Sequence, residues 1–375
     1  MKKTLILLPF AALILAGCGG GDQELKPLDP NIPEGGEKID TDNAEQRSKL
    51  VDKIVNNAKV SYNGAKVGFS VEGEVKANNV DIENSDLHVQ VADAGFTFKL
   101  TAVNLDKKAS EWKVAAELSN IKAKVTLDGK DVGGSRKEFI VSDISLGAYL
   151  DGGTAYADLS NAKLAALADD VVSKIFAAEE LPTIKQYVSM ALGKSKVKDV
   201  FKLFGLDDSL KIPELSDKDF DQLKAILPEG LEELKKGKDL PQVEFIDYKE
   251  SGLAATLTYA HSDESSNTNE YNPYKYSSFT AATGNVVFNN KGELAKVYLA
   301  ENINESSSYN GKLTSAVKVS AEVGATIKLG VTEISMPNFS EFVENPLVAM
   351  LTQKIPSASY PKPTPAPQPD VGYVE

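Results

Sequence analysis

The chain has 375 residues and is 42% hydrophobic, enough to bury a real core in one large domain or two ordinary ones. A net charge of −13 makes a surface that repels phosphate backbones, so nucleic acid is not expected as a partner. Cys18 is the only cysteine, which excludes intrachain disulfides and cysteine-held metal clusters.

The first element is a leader. Lys2 and Lys3 precede an apolar run from Leu5 to Leu15, and small residues follow. Charged, apolar and small parts in that order read as an export signal, too short to span a membrane. Leu15-Ala16-Gly17-Cys18 resembles the bacterial lipobox. The resemblance implies cleavage between Gly17 and Cys18, a diacylglyceryl group on the cysteine sulfur and acylation of the new amino terminus. It implies a lipoprotein anchored on the extracytoplasmic side, at the outer membrane if the cell has one. Loss of Lys2 and Lys3 would take the charge from −13 to −15. No apolar run of about 18 residues follows Cys18, so lipid is the expected membrane attachment. One acyl chain holds weakly and two or three hold stably. Residues 18–44, with Gly19-Gly20-Gly21 and Pro27, Pro30 and Pro33, read as a flexible tether.

A single α+β domain is expected over 45–340. Leu50, Val51, Ile54 and Val55 predict a short helix over 45–60. From 66 to 158 the period becomes two. Val67, Phe69, Val71 and Val75 alternate with polar residues, as do Phe96, Phe98, Leu100 and Ala102. Trp112, Val114, Ala116 and Leu118 form one further run, and Ile121, Ala123, Val125 and Leu127 another. Asp128-Gly129 and Asp151-Gly152-Gly153 mark turns. One-sided alternation predicts an antiparallel meander with one dry face.

Between 159 and 238 the period becomes helical. Leu164, Leu167, Ala168, Val171, Val172, Ile175 and Phe176 make one apolar stripe, with Ser160 or Asn161 as its cap. Pro182 opens a second helix carrying Ile184, Tyr187, Val188 and Leu192. Val197, Val200, Phe201 and Phe204 predict a third, Phe220 to Leu227 a fourth, and Leu231 and Leu234 a short fifth beyond Pro228. Strands return over 242–336. Leu253, Ala255, Leu257 and Tyr259 alternate, residues 260–273 read as a long polar loop, and apolar residues fill nine of the ten odd positions from Leu313 to Val331. So long a strand must bend, and Gly324 and Gly330 are the expected places. A last helix is expected over 340–354, then a polyproline tail from Pro361 to Pro369.

Motifs for chemistry are sparse. His88 alternates with Gln90 on a polar face, and His261 opens the polar loop; neither has the neighbours of a catalytic triad. Gly193-Lys194-Ser195 lacks the earlier glycine of a phosphate loop and reads as a helix terminus. Acid pairs such as Asp169-Asp170 and Glu179-Glu180 flank helical stripes and read as solvated faces. No enzyme, cofactor or metal is expected. Tyr259, Tyr271, Tyr274, Tyr276, Tyr298 and Tyr309 gather around the polar loop and read as edge and turn residues.

The order strands, helices, strands places both strand sets in one curved antiparallel sheet, a half-barrel with an inserted helical layer over its concave face. That plan resembles bacterial lipoprotein and lipid carriers of the LolA and LprG/LppX type. The most local echo is Ala148-Tyr149-Leu150-Asp151-Gly152-Gly153-Thr154-Ala155-Tyr156-Ala157-Asp158-Leu159, a hairpin before the helices. The resemblance implies an apolar ligand held between sheet and helices, and Phe69, Phe96, Phe98, Trp112, Val188, Phe201 and Phe204 are the candidate wall. The alternative is a surface lipoprotein with a structural or adhesive role and no small ligand; any protein partner is left open.

Overall fold

A computed structural model describes residues 35–344, apart from 131–133, 177–178, 204, 208, 237–241, 249–251 and 268–272. The leader with Gly17 and Cys18, most of the tether, Phe204, Tyr271 and the proline-rich tail lie outside the described residues.

One curved sheet of 13 strands dominates. In chain order these are β1 (Glu37–Lys38), β2 (Gly68–Asn84), β3 (Leu87–Val103), β4 (Lys113–Gly129), β5 (Lys137–Asp151), β6 (Thr154–Leu159), β7 (Gly193–Val197), β8 (Gln242–Tyr248), β9 (Gly252–Asn267), β10 (Tyr274–Phe288), β11 (Leu294–Tyr309), β12 (Lys312–Leu329) and β13 (Val343–Glu344). Their order across the sheet is β1-β8-β9-β10-β11-β12-β2-β3-β4-β5-β6-β7-β13. Two meanders, β8–β12 and β2–β7, are thus sewn into one sheet where β12 pairs with β2, Leu329 opposite Phe69. Neighbours run antiparallel except β13, which lies parallel to β7.

The strands are long because they bend without ending. Asp93 in β3, Asn120 in β4 and Asp143 in β5 all have left-handed backbones, with φ of 51°, 54° and 51°. Asp and Asn tolerate that region better than other side chains. At these points the ladders shift register, and β2 carries an extra residue, Asn78, opposite the shift at Ser320/Ala321. The bulges line up across the sheet. Each inverts the alternation, so that Val89 and Val91 share a face with Phe96 and Phe98, and Leu118 shares one with Ile121. The two apolar runs expected as separate units within 112–127 are therefore one strand, β4. In β12 the bend falls at Ser320/Ala321 rather than at Gly324, and Gly330, at φ 70°, marks the strand's end.

Among the described residues the α-helices are, in chain order, α1 (Ala44–Val67), α2 (Ala162–Ile175), α3 (Leu181–Ala191), α4 (Val200–Leu203) and α5 (Asp217–Lys236). Asn43 caps α1 by accepting from the N–H groups of Glu45 (3.0 Å) and Gln46 (3.1 Å), and Asn161 caps α2 likewise. α1 is longer than expected and runs across one end of the strands. It packs Leu50, Val51 and Ile54 with Phe245, Leu253, Val286 and Phe288 of the sheet and Leu231 of α5, the main buried cluster. α5 unites the expected fourth and fifth helices, with Pro228 inside it, and ion pairs tie it to α1 through Arg47–Glu232 and Lys224–Asp52. α2 lies on β5, where Val172, Phe139 and Ile144 are buried and Lys174 Nζ sits 5.0 Å from the Phe139 ring centre. α3 packs on α2.

Several local expectations differ from the structure. Gly193-Lys194-Ser195 opens strand β7 rather than ending a helix, and Val197 closes it. Residues 260–267 extend β9 instead of looping out, because they pair residue by residue with β10 (Asn267 opposite Tyr274). The described part of the expected last helix is a single turn, Phe339–Glu341, followed by β13. That segment crosses the polar face instead. Phe339 stacks on Tyr156 at 3.7 Å and 13°, and Phe342, 2% exposed, packs edge-on against both rings.

Candidate ligand-binding face

The register places one apolar set on a single face of the sheet's middle strands. Val71, Val75, Val80 and Ile82 of β2 lie opposite Leu100, Phe96, Val91 and Val89 of β3, and opposite Ile327, Val323, Val319 and Val317 of β12. β4 continues the face with Val114, Ala116, Leu118 and Val125. β11 extends it with Val297, Leu299 and Ile303. In a filled core these side chains would be buried. Here Val71, Val75, Phe96, Phe98, Leu100, Leu118, Val323 and Ile327 are all only half-buried, and Ile82 is 40% exposed.

The helices explain why. Their principal contacts with the sheet fall on β5, β8 and the near ends of β11, β12 and β2. The chain between α4 and α5 passes along that same end: Ala109 N–H donates to Leu210 O (2.7 Å), and Tyr62 donates to Pro213 O. α1 and the inserted helices thus form a rim along one end and one flank, and the inserted helices are not a layer over the whole face. Contiguous apolar patches beyond a few hundred Å² are uncommon on soluble monomers and mark places where something binds.

Of the sequence-derived wall residues, Phe96 and Phe98 come together on this face with ring centres 6.4 Å apart. Phe98 lies over Gly73 of β2, where a Cβ would overlap both the ring and the Gly324 carbonyl; the missing side chain lets the ring approach the strand closely. Phe69 is on the same face at its helix-rimmed end, opposite Leu329 and Ala102. Trp112 and Phe201 form a separate edge-on pair, 6.2 Å apart, beside the Gly152-Gly153 turn (φ 57° and 83°), with Trp112 Nε1 donating to Lys107 O at 3.2 Å. Val188 sits half-buried on α3. The wall therefore resolves into an open strand face and a rim, not one enclosed pocket.

One residue on the face escaped the sequence reading. Glu301 of β11 lies between Ala282 and Ala321 in register, in line with Leu299 and Ile303. It is half-buried and has no partner among the described residues, and burial pushes its carboxyl above the usual glutamate range. Its signal was an acid at an apolar alternation position. On the opposite face His88 Nε2 pairs with Asp81 Oδ1 (2.7 Å) and Gln90 Nε2 donates to Asp81 Oδ2 (3.3 Å). Burial alone would raise Asp81; these bonds outweigh it and hold the carboxyl below its ordinary value. Tyr149, beneath the crossing segment, is pushed up to about 12 by burial and by Glu117, to which its hydroxyl donates at 3.3 Å.

Among the described residues no group of three or more His, Cys, Asp and Glu is placed to hold a metal ion. The far tips of β9–β12 are polar on both faces. Ser277 and Ser306 hydrogen-bond at 2.9 Å, Ser307 and Ser315 at 2.7 Å, and Tyr274 faces Tyr309 in register, each ring residue 43% exposed.

No protein-family model matches the chain, and no curated protein matches it. Among solved structures, a match is a lipovitellin structure described for its lipid–protein interactions, at 6% identity and a TM-score of 0.23, covering 73% of this chain. The match spans about a quarter of the lipovitellin chain, 26%.

Proposed function

We propose that this protein is a lipid-anchored extracytoplasmic lipoprotein that holds an apolar ligand against the open face of its sheet. The observation that carries the reading is the face itself: five adjacent strands present aligned aliphatic and aromatic side chains that none of the described helices seals. At about 25 cal/mol per Å² of apolar surface, covering such a face is a strong driving force for a lipid chain or a similar ligand. Phe96 and Phe98 supply the floor, Phe69 the helix-rimmed end, and Trp112 with Phe201 the neighbouring corner. Cys18 supplies the attachment. The role needs no covalent chemistry from the folded body.

Detergent-free protein made in a bacterium and cut from its anchor should release lipid into an organic extract, read by mass spectrometry. A charged substitution in the floor, Phe96→Asp, should deplete that lipid, and Cys18→Ala should abolish membrane fractionation. A lipid-free extract, together with no uptake of a fluorescent fatty acid, overturns the ligand reading. An unacylated thiol at position 18 overturns the anchor.

An adhesive role is the second reading. The Ser-, Asn- and Tyr-rich strand tips, with the Tyr274–Tyr309 pair outermost, have the composition of adaptable recognition surfaces. Deleting residues 265–276 would remove a partner in that case and leave the lipid content unchanged.

A further inference from the structure

The face opposite the apolar one carries a cavity of about 330 Å³ where β10, β11, β12 and β2 meet. It lies beside the extra residue Asn78, where β2 and β12 shift register. The register builds its lining in two rows. Asn302, Ser320 and Asn79 form one row, and Phe279, Asn304 and Lys318 the next; Ile303 and Val319, strand positions between the rows whose alternation belongs to the apolar face, complete the lining. Phe279 is the aromatic exception on the outward side of β10, between Ser277 and Ala281.

The polar lining is unspent. Among the described residues no hydrogen-bond partner engages the side chains of Asn79, Asn302, Asn304 or Ser320, while Lys318 feels the charge of Asp81. Each amide offers two donors and an acceptor, and the hydroxyl offers one donor and two lone pairs. Mixed donors and acceptors around one flat apolar ring match a molecule whose edges are hydroxyls and whose faces are C–H. Charge narrows the class further. Lys318 is the one cation of the lining, and Asp81 stands opposite it in register with its carboxyl held ionised-side by His88 and Gln90. That neighbour offsets the ammonium, so an anion gains little. The size falls at the lower end of the range of about 300–1,000 Å³ for small-molecule sites.

We infer that this groove binds a neutral saccharide, with a sugar ring on Phe279 and its hydroxyls on Asn79, Asn302, Asn304 and Ser320. It lies on the other side of the sheet from the apolar face and does not rest on lipid binding there.

Saturation-transfer NMR on the mature chain tests it, with the methyl glycosides of glucose, galactose, mannose and N-acetylglucosamine as probes and inorganic phosphate as an anionic competitor. At least one glycoside should show transfer to its ring C–H protons. Phe279→Ala should remove that transfer, and Asn302→Ala should weaken binding at least about tenfold. Asn304→Ala, at an exposed position, gives the same reading should Phe279→Ala perturb the strand. All variants should keep the lipid content of the parent. No transfer from any glycoside, equal binding by the parent and these variants, or displacement by phosphate overturns the inference.

Discussion

Two truncations separate a sealed core from an open face. Leu50 on α1 is 1% exposed and packs with Phe245, Leu253 and Phe288, so Leu50→Ala removes a fully buried side chain. Transfer and cavity costs together set its loss at about 2–5 kcal/mol. Phe98 is larger, and in a filled core its truncation would cost about 3–5 kcal/mol. Here it is only half-buried, with its ring against Gly73. At least about two-thirds of its surface is covered, but no enclosed cavity forms, so only the transfer part is lost and Phe98→Ala should cost about 1–2 kcal/mol. The smaller residue should therefore matter more. Urea unfolding of delipidated protein, followed by circular dichroism at constant m-value, gives both numbers. Equal losses, or a larger loss for Phe98, would refute the claim that the helices leave this face open. Repeating the series on lipid-loaded protein should widen the Phe98 effect, because bound ligand stabilises the native state.

Glu301 carries a pH signature. Its folded carboxyl keeps a proton to higher pH than the unfolded one, so stability should fall as pH rises from the ordinary value of 4.5 through the raised native value. Glu301→Gln should remove that decline, leaving the variant more stable than the parent at neutral pH and equal to it in acid; parallel thermal melts across the range decide, and parallel parent and variant curves would count against it. Asn120 holds φ 54° and donates from Nδ2 to Thr97 Oγ1 at 3.1 Å. Asn120→Val should cost about 2 kcal/mol, since a β-branched residue strains there, whereas Asn120→Gly should cost under about 1 kcal/mol. Chemical denaturation of the two variants reads the difference, and identical losses would show that the bulge tolerates ordinary side chains.

The sheet was largely legible because alternation survives in the sequence. Phe96, Phe98, Leu100 and Ala102 do share one face, and the Gly152-Gly153 turn does close a hairpin. What misled was the change of parity at Asp93, Asn120 and Asp143. A single left-handed residue leaves no apolar mark, so two runs of opposite parity read as two strands. The polar stretch 260–267 read as a loop because a strand with both sides wet shows no contrast between its faces. Gly193 to Val197 became a strand through pairing with β6, a tertiary choice that helical spacing nearby concealed. For the candidate site, the aromatic residues of the face were found by alternation. Its openness was not, because that depends on where the inserted helices dock. Phe279 and its asparagine neighbours lie on β10, β11 and β2; the first two are consecutive, and β2, far off in the chain, joins them only through its register with β12.

The two margins of the sheet have a consequence of their own. Among the described residues each ends in a two-residue strand, β1 beside β8 and β13 beside β7, and charges crowd both places: Lys38 with Glu244, Lys194 with Glu341 and Lys198 with Glu344. Long flat borders invite copies to join edge to edge into fibres, and short charged ones discourage it. A broad, unclosed sheet can in this way stay a solitary particle even where many copies crowd together.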